Sequence, residues 1–248
     1  MFERLGEHTV LVESRSELPL AIPRSHLRPD GSNVVTLLAP GGGLFAGDMV
    51  QLAVECRAGT DVMLRQVGAT LLHGREGQGI IYEADVWVAE GARFRYGPNT
   101  LIPFAVADYR QRIRVRLEVG AEAILGEVIT PGRLDAPFAY RCLDLRTEVD
   151  LDGSLIVLDA LRIEPARTDY QRALGGFSHV AGLLSLGPDH SQGDADLWHA
   201  RLAQSGVCGS ASLLPAYGIG ARLLGNRADE LLRALSPAFE TPRPAVNP

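Results

Sequence analysis

The sequence predicts a mostly β fold: a β-helical, solenoid-like stack of antiparallel hairpin layers with a small α-containing C-terminal part. Three observations carry this prediction. Apolar residues alternate through the middle of the chain with the two-residue period of strands. Glycine turns interrupt the alternation at Gly59, Gly91, Gly120 and Gly153, which fall 32, 29 and 33 residues apart. After Pro165 the alternation gives way to stretches with helical spacing. A period near thirty made of strand, turn and strand is an internal repeat. A β-sandwich with evenly spaced hairpins is the alternative.

The elements follow in order. VQLAVEC (Val50–Cys56), ADVWVAE (Ala84–Glu90), IRVRLEV (Ile113–Val119) and RTEVDLD (Arg146–Asp152) each place apolar residues at every second position before their turn glycine. After the glycines come TDVMLRQVG, ARFRYGPNT, AEAILGEVI and SLIVLDALRI, read as the return strands. GDADLWHARLAQSG (Gly193–Gly206) fits an amphipathic helix with Asp194 near its start and Gly206 as its stop. SASLLPAYGIGARLLG reads as one or two strands. NRADELLRALSP reads as a helix capped by Asn226, with Leu231, Leu232 and Leu235 as its apolar stripe and Pro237 as its end. The expected organisation is a body of hairpin repeats over residues 1–165, its continuation with two helices over 166–240, and a loose proline-rich tail over 241–248.

Composition narrows the function. Of 248 residues, 46% are hydrophobic and 22% charged, which is globular composition. The net charge of −6 lacks the basic surplus that duplex nucleic acid requires. The three cysteines are scattered and form no CxxC pair, so a reducing, cytoplasmic setting is expected. The first residues, MFERLGEHTVLVESR, carry charges every few positions, unlike a signal peptide, and no apolar run is long enough to span a membrane.

The glycine-rich loop LLAPGGGLFAGDMVQL (Leu37–Leu52) invites a phosphate-binding reading and then refuses it. Gly42 and Gly47 have phosphate-loop spacing, but Asp48 stands where the lysine is needed, and a carboxylate repels phosphate. Gly41, Gly43 and Ala46 fit the dinucleotide fingerprint on paper, but a strand follows where a helix must. What remains is a tight turn where backbones pack closely. GFSHV lacks the closing glycine of a nucleophile elbow, so Ser178 and His179 read as a loop pair. The six histidines show no HxH or HxxxH pairing, so no zinc or copper site is signalled.

One pattern is unexpected for a β core. Glu127 in AILGEVI and Asp159 in LIVLDAL sit at positions that should be apolar. The matching positions in the earlier repeats are Gln66 and either Pro98 or Asn99. Stacked repeats would align these as a polar file. A buried carboxylate is costly unless paired, hydrated or functional. Arg133, Arg65 or Arg95 could pair with Glu127, and Arg162 with Asp159. The alternative is a wet passage lined by oxygen ligands, suited to a divalent cation in transit.

The order of motifs resembles the urease accessory protein D family. APGGGLFAGD (Ala39–Asp48) matches its glycine loop, including Gly42, Gly43 and Gly47. LRQVGATLLH (Leu64–His73) matches its T-x-x-A-[TS]-K-x-Y segment, with Thr70 in place and Leu71 and His73 at the lysine and tyrosine positions. PNTLIPF, starting at Pro98, Glu127 followed by Gly132-Arg133, VLDALRI with Asp159, and the late ASLLPAYGIGARLLG complete the series. The second glycine of the family's GGD is Ala46 here, and GRLDAPFAY lacks its glycine–glutamate pair, so the chain resembles a divergent member.

The resemblance implies a non-enzymatic scaffold with a β-helical fold. Such proteins dock on the urease apoprotein and on a helical accessory protein of the F type, which recruits a nickel GTPase of the G type. It also implies an internal tunnel for nickel in transit, with no tightly bound cofactor, and carries the tunnel acids onto Asp48, Glu127 and Asp159. The glycine loop then reads as a turn that brings Asp48 inward, and His73 is a candidate at a tunnel mouth. The other readings are a β-solenoid carbohydrate-active enzyme with Glu127 and Asp159 as its acid–base pair, and a generic protein-interaction module.

Overall fold

Residues 1–240 are described in the computed structural model; the tail expected over 241–248 lies outside them. The chain opens with β1 (Phe2–Leu5), β2 (His8–Leu11), β3 (Ser25–Leu27) and β4 (Asn33–Leu37). The repeating body follows as β5 (Leu44–Phe45), β6 (Met49–Cys56), β7 (Asp61–Gln66), β8 (Thr70–His73), β9 (Ile80–Val88) and β10 (Arg93–Pro103). It continues as β11 (Asp108–Leu117), β12 (Glu122–Ile129), β13 (Gly132–Arg133), β14 (Ala136–Pro137), β15 (Cys142–Leu151) and β16 (Ser154–Ile163). A single turn, α1 (Tyr170–Ala173), leads to β17 (His179–Leu186), α2 (Gln192–Gln204), β18 (Cys208–Leu213), β19 (Gly218–Gly225) and α3 (Ala228–Glu240).

The body is a β-solenoid of about four turns. One sheet runs β16-β15-β11-β9-β6-β1-β2, and the facing sheet runs β18-β19-β17-β12-β10-β7-β4-β3, with β8 and β5 beside β10. The predicted alternation places each strand. In β9, Ile80, Tyr82, Ala84, Val86 and Val88 are all buried, while Glu83 and Asp85 between them face outward. Equivalent residues of successive turns stack in register: Val54 beside Val86, Val86 beside Val115, Val115 beside Val149. Like packs on like, so one apolar row runs through the core.

The strand–turn–strand units at Gly59, Gly91, Gly120 and Gly153 are all present, with φ of 71°, 64°, 82° and 80° at the glycines. That is the left-handed region in which a side chain is disfavoured. Their hydrogen bonding differs from that of hairpins. In the first three units the two strands run oppositely but lie in different sheets, facing each other across the core. They are arches, and each strand bonds in parallel to its counterpart one turn away. Only β15–β16 among the four is a hydrogen-bonded antiparallel hairpin.

A second core lies on the outer face of the ten-stranded sheet. There Met63, Ile124, Val128 and Leu183 meet Leu202 of α2 and Leu231, Leu235 and Phe239 of α3. The cap of α2 is Ser191, whose side chain and that of Asp194 form a reciprocal capping box. Two expectations for α3 are corrected. Asn226 does not cap it; its side chain accepts the Ser178 N–H at 3.1 Å. Pro237 does not end it, because α3 runs on to Glu240. A proline ring fits helical φ and costs mainly its missing N–H and a steric clash. Burial of Ala238 and Phe239 offsets that cost, and the buried Arg95 guanidinium donates to the Phe239 carbonyl at 3.0 Å.

Phe239 also explains Gly126. A Cβ built there would lie 2.7 Å from Phe239 Cζ. Gly126→Ala is therefore expected to push the end of α3 off the sheet and cost about 1–3 kcal/mol, as overpacking does. Urea denaturation measures the loss, and adding Phe239→Leu should restore part of it. An unchanged midpoint for Gly126→Ala would contradict this packing.

Candidate functional site

Of the polar file predicted from the repeats, Gln66, Asn99 and Glu127 lie on the ten-stranded sheet; Asp159 does not join them, because β15 and β16 form a hairpin within the seven-stranded sheet and leave it on the opposite wall. Asn99 on β10 lies directly beside Glu127 on β12, and Gln66 ends β7 one turn earlier. A bulge between Tyr96 and Asn99 adds one residue to β10. It is Asn99, and not Pro98, that comes level with Glu127; Pro98 forms the bulge together with Gly97, whose φ is 109°. The Thr70 hydroxyl bonds to the Gln66 side chain at the start of the file.

Glu127 opens into a cavity between the two sheets. Asn99, Glu127, Gly182 and Arg222 line it from the ten-stranded sheet, and Gln111, Thr147 and Asp159 from the seven-stranded one. Its water-accessible space is about 60 Å³, where a single water needs roughly 10–15 Å³. It therefore has room for several waters; most of its wall is apolar, with Ile113, Leu125, Leu145 and Leu161 among the lining, and the polar groups are gathered around Glu127 and Asp159. Gln111 Nε2 donates to both Glu127 oxygens, at 3.1 and 3.3 Å. The Tyr109 hydroxyl donates to Gln111 Oε1 at 2.8 Å and fixes which way that amide points. Tyr82 and Tyr96 bond hydroxyl to hydroxyl at 2.6 Å behind them.

The electrostatics follow from burial. Removal from bulk water pushes the Glu127 carboxyl up to about 7, against the opposing pull of the Gln111 hydrogen bond; the Asp159 charge adds to the rise and Arg222 subtracts from it. Burial likewise pushes the Tyr96 hydroxyl up to about 12. At neutral pH Glu127 is thus divided between its neutral and charged forms. Asn99 is 5% exposed, and its Oδ1 has no hydrogen-bond partner. An unpaired amide oxygen and two carboxylates thus meet at one water-accessible chamber whose remaining wall is mostly apolar; oxygen groups of this kind are ligands for hard or borderline cations.

The arginines considered as neutralising partners are elsewhere. Arg95 pairs with Asp61 at 2.5 Å, Arg133 with Asp135 at 3.0 Å, and Arg162 with Asp144 and Glu164; Arg65 is exposed. The cation beside Asp159 is Arg222, at 2.5 Å. Sequence reasoning missed Arg222. The signal was the alternation of GIGARLLG, in which Ala221 and Leu223 are buried in the helix-covered core and Arg222 takes the opposite face.

Asp48 is not brought to Glu127 and Asp159. It is half-buried, and its Oδ2 accepts the Phe45 N–H at 2.8 Å, closing the turn between β5 and β6. The inward turn expected of it gives way to this local bond. Gly42, Gly43 and Gly47 all have positive φ, and a Cβ on Gly43 would strike the Leu71 carbonyl oxygen at 2.5 Å. The loop is thus a close backbone approach. His73 lies outside the cavity, stacked on Phe45 at 4.4 Å and edge-on to Phe104 at 4.7 Å. The Arg133 guanidinium sits 5.4 Å from the Phe104 ring centre. Phe45, His73, Phe104 and Arg133 thus form a column on successive turns, and Gly132, with φ of 102°, begins the short β13–β14 pair beside it.

Other chemistries find less support. Ser178 Oγ and His179 Nδ1 are 2.8 Å apart, but Ser178 is also tied to Asn226 as a loop clamp. Neither Trp87 nor Trp198 lines the cavity, so a sugar would meet no tryptophan platform there. Among the described residues no group of three or more His, Cys, Asp or Glu is gathered, and no helix is long and apolar enough to cross a membrane.

The family model described as UreD urease accessory protein matches residues 1–248. Similar proteins carrying the name urease accessory protein UreD include one from Cenarchaeum symbiosum (strain A), 31% identical over 245 residues, which cover 94% of this chain and 85% of that protein. One from Mycolicibacterium gilvum (strain PYR-GCK) is 33% identical over 233 residues, 90% of this chain and 84% of its own. One from Herpetosiphon aurantiacus is 30% identical over 239 residues, 91% of this chain and 83% of its own. The relatives are named as accessory proteins, not as enzymes.

Proposed function

Because this chain belongs to the UreD family of urease accessory proteins, we propose that it is a scaffold and nickel conduit in urease maturation. It docks on the urease apoprotein and on a helical accessory protein of the F type, and through the latter meets the nickel GTPase of the G type. It works in the cytoplasm, and nickel is its cargo, not a resident cofactor. It makes and breaks no substrate bond.

The observation that carries the reading is that Glu127 and Asp159, remote in sequence, face one chamber with room for several waters, together with the unpartnered Asn99 Oδ1. Carboxylate and amide oxygens hold Ni²⁺ less tightly than imidazole or thiolate, so an ion that enters can leave. Glu127 tunes that grip. As a cation arrives, the carboxyl releases its proton to solvent and becomes a charged ligand; as the cation departs, a proton returns. This exchange lowers the cost of holding the carboxylate in the chamber when no cation is there. Gln111 keeps both Glu127 oxygens oriented through either state. The column of Phe45, His73, Phe104 and Arg133, exposed at Phe45 and Arg133 and half-buried between them, offers aromatic surface of the kind enriched at docking sites.

Co-expression of the chain with the urease subunits and the helical accessory protein tests the scaffold. The reading expects one co-purifying complex that contains all of them. Failure of the chain to retain either partner would remove the scaffold role.

A further inference from the structure

One ion pair joins the two sheets at the edge of the chamber. Asp159 lies on β16, the edge strand of the seven-stranded sheet, and Arg222 lies on β19 of the other. Arg222 Nη2 reaches Asp159 Oδ1 at 2.5 Å, with the side chains 46% and 32% exposed. Both residues line the chamber and also meet solvent, so they stand at its rim.

Gly182 fixes how the guanidinium lies. In the strand ladder it is level with Glu127 on β12 and with Arg222 on β19. A Cβ on Gly182 would stand 2.8 Å from Arg222 Nη1 and 4.0 Å from Asp159 Oδ2. The missing side chain leaves the groove in which Arg222 crosses from its own sheet to Asp159.

This arrangement opposes passage of a cation in two ways. A fixed positive charge at the mouth repels a divalent ion. The same guanidinium occupies Asp159, one of the chamber's two carboxylates. With Arg222 in place, an entering ion finds Glu127 and the buried, unpartnered Asn99 Oδ1; with Arg222 displaced, it finds Asp159 as well.

We propose that Arg222 is the gate of the chamber: paired with Asp159 it closes the mouth and masks a ligand, and its displacement completes an oxygen site for a divalent cation from Asn99, Glu127 and Asp159. The inference rests on the conduit reading and adds the residue that controls it. Opening exchanges a single half-exposed ion pair, a weak lock by nature.

Titration calorimetry of the full chain with NiCl₂ at pH 7.5 tests the gate. Arg222→Gln should bind one Ni²⁺ at least tenfold more tightly than the parent chain. Adding Asp159→Asn or Glu127→Gln to Arg222→Gln should abolish the gain, which separates the chamber from adventitious sites at surface histidines or Cys208. If Arg222→Gln does not fold, Arg222→Lys serves: it keeps the charge, loses the planar fork, and should gain affinity to a smaller degree. Binding no tighter than the parent in a folded variant, or a gain that survives both double substitutions, would overturn the gate. The two ideas fail separately. If Glu127→Gln depletes urease of nickel while Arg222→Gln titrates like the parent, the conduit stands and the gate falls. If Arg222→Gln gains a site while Glu127→Gln leaves urease nickel unchanged, the chamber binds cations but does not deliver them.

Discussion

Glu127→Gln raises the stability of the fold at pH 8 relative to the parent chain and leaves it nearly unchanged at pH 4. Burial lifts the Glu127 carboxyl from its ordinary 4.5 to about 7. Below about pH 4.5 the folded and unfolded chains both hold the proton, and the group has no effect on their balance. Between there and pH 7 the unfolded chain gives up a proton that the folded chain keeps, so stability falls as pH rises. Above 7 the penalty is constant. The shift corresponds to up to about 3 kcal/mol, reduced by water in the chamber. Glutamine keeps the shape and an acceptor for Gln111 without the charge. Urea denaturation of both proteins from pH 4 to pH 8 reads the effect as a widening gap. The comparison cancels His179 and His190, whose imidazoles burial pulls down and which titrate alike in both proteins. Parallel curves would mean that Glu127 is not in a desolvated chamber.

Arg95→Met produces the larger loss, about 3–5 kcal/mol, as expected when one partner of a buried ion pair is removed. Arg95 is 2% exposed and Asp61 8% exposed. The guanidinium joins Asp61 at 2.5 Å and the Phe239 carbonyl at 3.0 Å. It thus ties the sheet to the C-terminal end of α3, where a positive charge also favours the helix dipole. Without it, a carboxylate and a helix carbonyl are left buried and unpaired. Asp61→Asn added to Arg95→Met should recover part of the loss, because it removes the stranded charge. Proteolysis within residues 228–240 should accelerate in the single variant. A loss below about 1 kcal/mol would place the pair in water.

Much of this fold was legible because the solenoid repeats one instruction. Alternating apolar residues mark a strand, and a glycine at positive φ marks its end. Partner choice was not legible: alternation in β6 or β7 says which face is buried, not which strand lies beside it. Arches therefore looked like hairpins. Glu127 and Asp159 stood out as polar residues at apolar positions. Asp48 was misleading for a local reason, since an aspartate after a glycine can satisfy a backbone N–H three residues back, as it does with Phe45. Arg222 was hidden because its place at the rim depends on the antiparallel register of β17 and β19. Pro237 broke the usual stop rule because tertiary burial of Phe239 outweighs local propensity.

The central claim is that nickel crosses the chamber at Glu127. Its most direct measurement is the nickel content of urease matured in cells that carry Glu127→Gln, beside the parent chain and with complex assembly confirmed by co-purification. The account predicts intact complexes and urease with at least a severalfold loss of nickel. Intact complexes with fully loaded urease would contradict it.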